Sequence, residues 1–126
     1  MIIQDKIIVI DLDGTLCEKK AEHEEYTDVR PRKEIVQKLQ EYREQGFSVI
    51  VTTARGMRTF EGNVGKINAV MLKTILEWLN KHHVPYDEVH VGKPWCGMDG
   101  FYVDDRTIRP DEFMRLSPEQ IRKLIE

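Results

Sequence analysis

With 126 residues, 40% of them hydrophobic and 33% charged, the chain has the size and composition of one soluble globular domain, 1–126, able to bury a single core. Its net charge of −3 gives no bulk reason to expect a nucleic-acid partner, and no apolar run approaches the roughly 20 residues of a membrane span. Cys17 and Cys96 are too few for a disulfide scaffold, and the N-terminus lacks the basic start and long apolar stretch of a signal peptide, so a cytoplasmic location with free thiols is expected.

Residues 7–10 are all β-branched, which predicts a strand buried on both faces in a parallel sheet. Residues 31–45 predict a helix with Pro31 in its first turn, Ile35, Val36, Leu39 and Tyr42 on one face and Gly46 as its stop. A second strand is expected over 47–52, followed by an irregular stretch, 56–68, that holds three glycines. Asn68 is the expected cap of a helix running to about residue 82, with Leu72, Ile75, Leu76 and Leu79 as its apolar stripe. Short strands follow at 88–91 and 101–103. Ser117 and Gln120 form a capping box that opens a last amphipathic helix with Ile121, Leu124 and Ile125 inside.

Alternating strands and helices argue an α/β fold with a parallel sheet, and in such sheets ligands sit beyond the carboxyl ends of the strands. Each expected strand is followed there by polar residues: Asp11 and Asp13, then Thr53 and Arg55, then Lys93, then Asp104 and Asp105. Residues i and i+2 of an extended strand point the same way, so Asp11 and Asp13 can face one ligand, and Gly14 lets the chain turn away behind them. The four acids would gather up to four negative charges against Lys93 alone. A hard divalent cation with oxygen ligands is the natural counter-charge, and Mg2+ suits it best. Crowding should raise the pKa of at least one carboxylate. A protonated Asp13 could then serve as a general acid, although the sequence leaves open which carboxylate holds the proton.

The set DLDGT at 11–15, VIVTTAR at 49–55, GKP around Lys93 and YVDDR at 102–106 resembles the haloacid dehalogenase-like hydrolases in both order and strand placement. The resemblance spans about residues 6–110. It implies a Rossmann-like sheet of order 4-1-2-3 flanked by helices, and a Mg2+-dependent phosphatase that works through an aspartyl-phosphate. Asp11 would be the nucleophile and Asp13 the acid and then the base. Thr53 would bind a phosphoryl oxygen, and Lys93 would neutralise it. Mg2+ would be held by the Asp11 carboxylate, the Asp13 carbonyl and Asp104, with Asp105 close behind. The family's usual cap domain has no room in 17–29 or 56–92, and a loop stands at 94–101 where a helix is customary. Small capless relatives occur among proteins of bacterial surface-polysaccharide synthesis, so a sugar phosphate is the expected class of small-molecule substrate. An open site would also suit a homo-oligomer.

Other residues carry two readings each. Gly14, Thr15, Arg55, Arg58 and Trp95 are candidate substrate contacts, but Arg55, Arg58 and Arg106 read equally well as solvated charges, and Trp95 as packing. Thr52 competes with Thr53. Trp78 is expected to pack, His82 and His83 to suit a helix C-terminus, and the two cysteines to be small apolar filler. Two alternatives to an enzyme are a receiver-like phospho-accepting module and a non-catalytic phosphate-binding partner. The third strand ends in Lys93 rather than an acid, which disfavours the first; the full set of candidate catalytic residues disfavours the second.

Overall fold

A computed structural model of the chain describes residues 5–126. The first compact unit ends at Trp95, and the second is Cys96–Glu126. In the first, β1 (Ile7–Asp11), α1 (Lys33–Glu44), β2 (Ser48–Thr53), α2 (Val64–Lys81) and β3 (Glu88–Val91) alternate in sequence. The strands are all parallel, in the order β1-β2-β3, with Asp11 opposite Thr52 and Thr53 opposite Val91. This register brings the three carboxyl ends to one edge of the sheet.

β2 lies in the middle and is the most buried strand, with Val49, Val51 and Thr53 at 1% exposure or less. β1 departs from the expectation of burial on both faces. Ile10 is buried, but Ile7 and Val9, which share the opposite face by the two-residue period, are exposed. The expected fourth strand does not form. Residues 101–103 take no strand conformation, and Phe101 and Val103 are 79% and 87% exposed. Aromatic and β-branched residues favour strands by packing against a paired neighbour, and a three-residue run carries little preference without one. The sheet of the described residues therefore holds the 1-2-3 part of the expected order.

α1 buries Ile35, Val36, Leu39 and Tyr42, the face its periodicity marks, and the chain turns away at Gly46. Pro31 lies outside the helix rather than in its first turn, because it forms an isolated bridge with Cys17. The neighbouring hydrogen bonds Glu18 N–H to Arg30 O and Arg32 N–H to Leu16 O close the same neck. The 18–30 excursion is thus a loop tied at both ends, containing only turns and a short 3-10 helix at Tyr26–Asp28. No cap domain is present in the described residues.

α2 begins earlier than expected. Asn63, not Asn68, is its cap, its side chain accepting the Lys66 N–H at 3.1 Å. Ile67, Ile75, Trp78 and Leu79 are buried, whereas Leu72 and Leu76 are half-buried. The Trp78 indole donates to Val29 O at 2.8 Å, joining α2 to the end of the tied loop. Ahead of β3, Asp87 accepts the Val49 N–H at 2.7 Å and pairs with Arg43 at 2.9 Å. That single carboxylate fastens β2 and the last turn of α1 to the approach to β3.

The second unit contains α3 (Pro110–Arg115), absent from the expected elements although Pro110, Asp111 and Glu112 suit a helix start, and α4 (Pro118–Ile125). The Ser117–Gln120 capping box is present. Contrary to expectation, α4 buries none of its residues; Leu124 is 53% exposed, and Ile121 and Ile125 are half-buried.

Candidate active site

The last residue of β1, Asp11, and the residue two further on, Asp13, stand at the sheet edge because the strand ends at Asp11 and the chain turns back from Leu12. The Leu12 carbonyl accepts the N–H groups of Thr15, Leu16 and Cys17 at 2.9 to 3.2 Å. Gly14 takes φ +83° in this turn, a conformation that costs a residue with a side chain about 1–2 kcal/mol. Thr15 turns inward, its hydroxyl 3.4 Å from Asp11 Oδ2.

The ends of the other two strands close on the same place. Thr53 is buried at the end of β2, and its carbonyl accepts the Lys93 N–H at 3.1 Å. Anchored there, Lys93 brings its Nζ to 3.5 Å from Asp11 Oδ1. Burial raises the Asp11 carboxyl above its ordinary value of 3.8, and the Lys93 charge offsets this only in part. A partly desolvated carboxylate beside one cation and still a third exposed is poised to meet a further cation or an electrophile.

Asp13 has a different partner. Both of its carboxylate oxygens are held by Arg55, which donates from Nε to Oδ2 at 3.0 Å and from Nη2 to Oδ1 at 2.8 Å. The Arg55 side chain is only 3% exposed. Its guanidinium carbon lies 4.0 Å from the centre of the Tyr26 ring, in the tied loop, and its N–H is accepted by Thr53 Oγ1 at 3.0 Å. The solvated-charge reading of Arg55 does not describe this arrangement, because the side chain is buried and paired. Its one sequence signal was its place two residues beyond a strand end. Cys17 is fully buried on the other side of Asp13, with its Sγ 3.6 Å from Oδ1.

Arg58 and Trp95 are exposed. Asp104 and Asp105 are exposed residues of the second unit, where Asp104 accepts the Arg106 N–H at 3.0 Å in a turn. Among the described residues no three His, Cys, Asp or Glu side chains gather into a metal-binding group. A surface hollow of about 400 Å3 near the ends of α1 and α2, lined by Pro31, Val36, His82 and others, contains none of the candidate site residues. His82 packs on Trp78 there, with ring centres 4.6 Å apart and the rings tilted by 52°.

The sequence pattern of the haloacid dehalogenase-like hydrolases matches residues 8–80, more than half of the chain and all of the segment carrying Asp11, Asp13, Thr53 and Arg55. The chain belongs to the haloacid dehalogenase-like hydrolases. It is also similar to a crystal structure from Vibrio cholerae, with 52% identity over 95% of this chain and 96% of that one and a TM-score of 0.91. Among curated proteins none matches at a significant level. Membership of this family makes the chain a hydrolase with a Rossmann-type core. None of the helices in the described residues is long and apolar enough to cross a membrane.

Proposed function

We propose that this hydrolase is a Mg2+-dependent phosphomonoesterase that forms an aspartyl-phosphate on Asp11 and acts on a small phosphorylated metabolite, with a sugar phosphate as the first class to test. The observation that carries this reading is the unequal pairing of two carboxylates at one strand end. Asp11 meets a single lysine at 3.5 Å and retains exposed surface, while Asp13 is engaged at both oxygens by Arg55. One carboxylate is therefore free to attack, and the other is oriented beside it.

In the first half-reaction Asp13 enters protonated, with the protonated oxygen turned from Arg55 toward the substrate and the other still held; an Asp11 oxygen attacks phosphorus, the ester P–O bond breaks, and Asp13 gives that proton to the departing oxygen. In the second, Asp13 takes a proton from water, the water oxygen attacks the same phosphorus, and Asp11 is released as a carboxylate with inorganic phosphate as product. Lys93 and the Thr53 hydroxyl stabilise the phosphoryl oxygens as charge moves onto them. Asp11 offers a hard carboxylate oxygen, and the resemblance implies that Mg2+ would also be held by the Asp13 backbone carbonyl and Asp104, with Asp105 close behind. When bound, Mg2+ would supply positive charge to the phosphoryl oxygens. With no cap of its own, the open site would suit cover from a second copy, which sedimentation at micromolar concentration would detect; a strict monomer with a preference for very small phosphorylated acids would contradict that part.

The deciding experiment uses p-nitrophenyl phosphate, whose leaving group barely needs an acid. Asp13→Asn should release at most one equivalent of nitrophenol per site and accumulate phosphoenzyme, and Asp11→Asn should give neither burst nor turnover. Label mapped to any residue other than Asp11, or wild-type turnover by Asp13→Asn, would refute the assignment.

A further inference from the structure

We propose that Arg55 is the positioning residue for Asp13, and that Tyr26, packed on the guanidinium from the tied loop, holds it in place. The inference rests on the phosphatase reading above and adds to it the reason Asp13 and Asp11 have separate tasks. Asp11 ends β1 and Asp13 follows two residues later beyond the turn at Leu12, so both acids stand at the same strand end and nearness alone would let either approach phosphorus. The Arg55 fork removes that ambiguity. It engages both Asp13 oxygens, at 2.8 and 3.0 Å, from a side chain with 3% exposure. A planar fork can release one carboxylate oxygen and keep the other, so the released oxygen can take up the proton it then gives to the leaving group while the held oxygen keeps the carboxyl aimed.

Two contacts fix the fork itself. Its backbone N–H is held by Thr53 Oγ1 at the end of β2. One face of the guanidinium lies on the Tyr26 ring at 4.0 Å, close enough for a cation–π contact. The loop carrying Tyr26 is tied at its neck by the 17–31 bridge and near the Tyr26–Asp28 turn by Trp78. Loop 18–30, too short for a cap domain, thus acts on the chemistry from within by setting the direction of the acid. Arg55 makes no contact with the substrate in this scheme.

The test compares two aryl phosphates. Phenyl phosphate has a poor leaving group and needs the acid; p-nitrophenyl phosphate does not. Arg55→Ala should lose about 10- to 100-fold in kcat/KM on phenyl phosphate and less than about threefold on p-nitrophenyl phosphate, a fraction of the full contribution of a general acid. Guanidinium ion at sub-denaturing concentration should restore phenyl phosphate hydrolysis selectively. Arg55→Lys, which keeps the charge but not the fork, should fall between Arg55→Ala and wild type. Tyr26→Ala should show the same selective loss in milder form, and Tyr26→Phe should behave as wild type. A merely structural role would lower both substrates together. Equal losses on the two substrates, or a rise in KM with kcat unchanged, would overturn the proposal while leaving the phosphatase reading in place. If the Arg55 variants fail to fold, the Tyr26 pair decides, and equal behaviour of Tyr26→Ala and Tyr26→Phe would overturn it. Failure of the wild-type enzyme to cleave either ester under Mg2+ would sink the phosphatase reading and this proposal with it.

Discussion

The Cys17 thiol is wholly buried and touches Asp13, and burial first, then the neighbouring negative charge, pushes it up to about 12. Since the thiolate is the reactive form, Cys17 should be inert at neutral pH although it lies beside the site. Cys96 is partly exposed. Titration with a thiol reagent should count one fast thiol in the native protein and two after unfolding; two fast thiols in the native state would contradict the burial of Cys17. The same neighbourhood shows what single residues disclose in a sequence. Asp11, Asp13, Thr53 and Lys93 could be selected because each directly follows an apolar strand, and the strand register then places them together. Arg55 stands out by the same rule, but its pairing with Asp13 does not. The Arg55 pairing spans 42 residues and depends on side-chain direction and burial, which an equally plausible surface arginine would not reveal.

Among the elements, the start of α2 offers the clearest physical account. Asn63 caps the helix, and Gly56 ahead of it takes φ +84°, where an added Cβ would meet Met71 Sδ at 2.7 Å and Ile67 Cγ1 at 3.2 Å. Asn63→Ala should cost about 1 kcal/mol, as cap removals do. Gly56→Ala should cost about 1–2 kcal/mol from backbone strain alone, since the methionine sulfur can shift but the backbone angle cannot. Denaturant unfolding would measure both, and a neutral Gly56→Ala would show that the turn can be rebuilt. The helix was legible from its apolar spacing, but its start was not: Asn63 and Asn68 are equally good caps in isolation, and burial of Ile67 one turn from Asn63 decides between them. The third strand and the α4 capping box are legible for the opposite reason, since the alternation of Val89 and Val91 with polar residues and the Ser-Pro-Glu-Gln signature are local. The 101–103 run was misread because strand character depends on a paired neighbour. α3 passed unnoticed because six residues are too few for a period to show.

At the scale of the molecule, Asp11 and Asp13 are already matched by Lys93 and Arg55, so a phosphate dianion bound beside them would add negative charge that the proposed Mg2+ offsets. Phosphatase activity should vanish in EDTA and return with Mg2+, and Ca2+ should inhibit because its looser, higher coordination misplaces the nucleophile. Full activity in chelator-treated buffer would remove the metal from the scheme.

The chain contains only two tryptophans, and they occupy opposite surroundings. Trp78 is 4% exposed with its indole N–H given to a carbonyl, whereas Trp95 is 46% exposed and two residues from Lys93. The protein therefore carries two intrinsic optical signals. Emission from Trp78 should be blue and shielded from acrylamide, registering the integrity of the tied loop, while emission from Trp95 should be red and readily quenched, registering events at the rim of the strand ends. Ligand occupancy and loss of the native packing would then be separable in one cuvette without any attached dye.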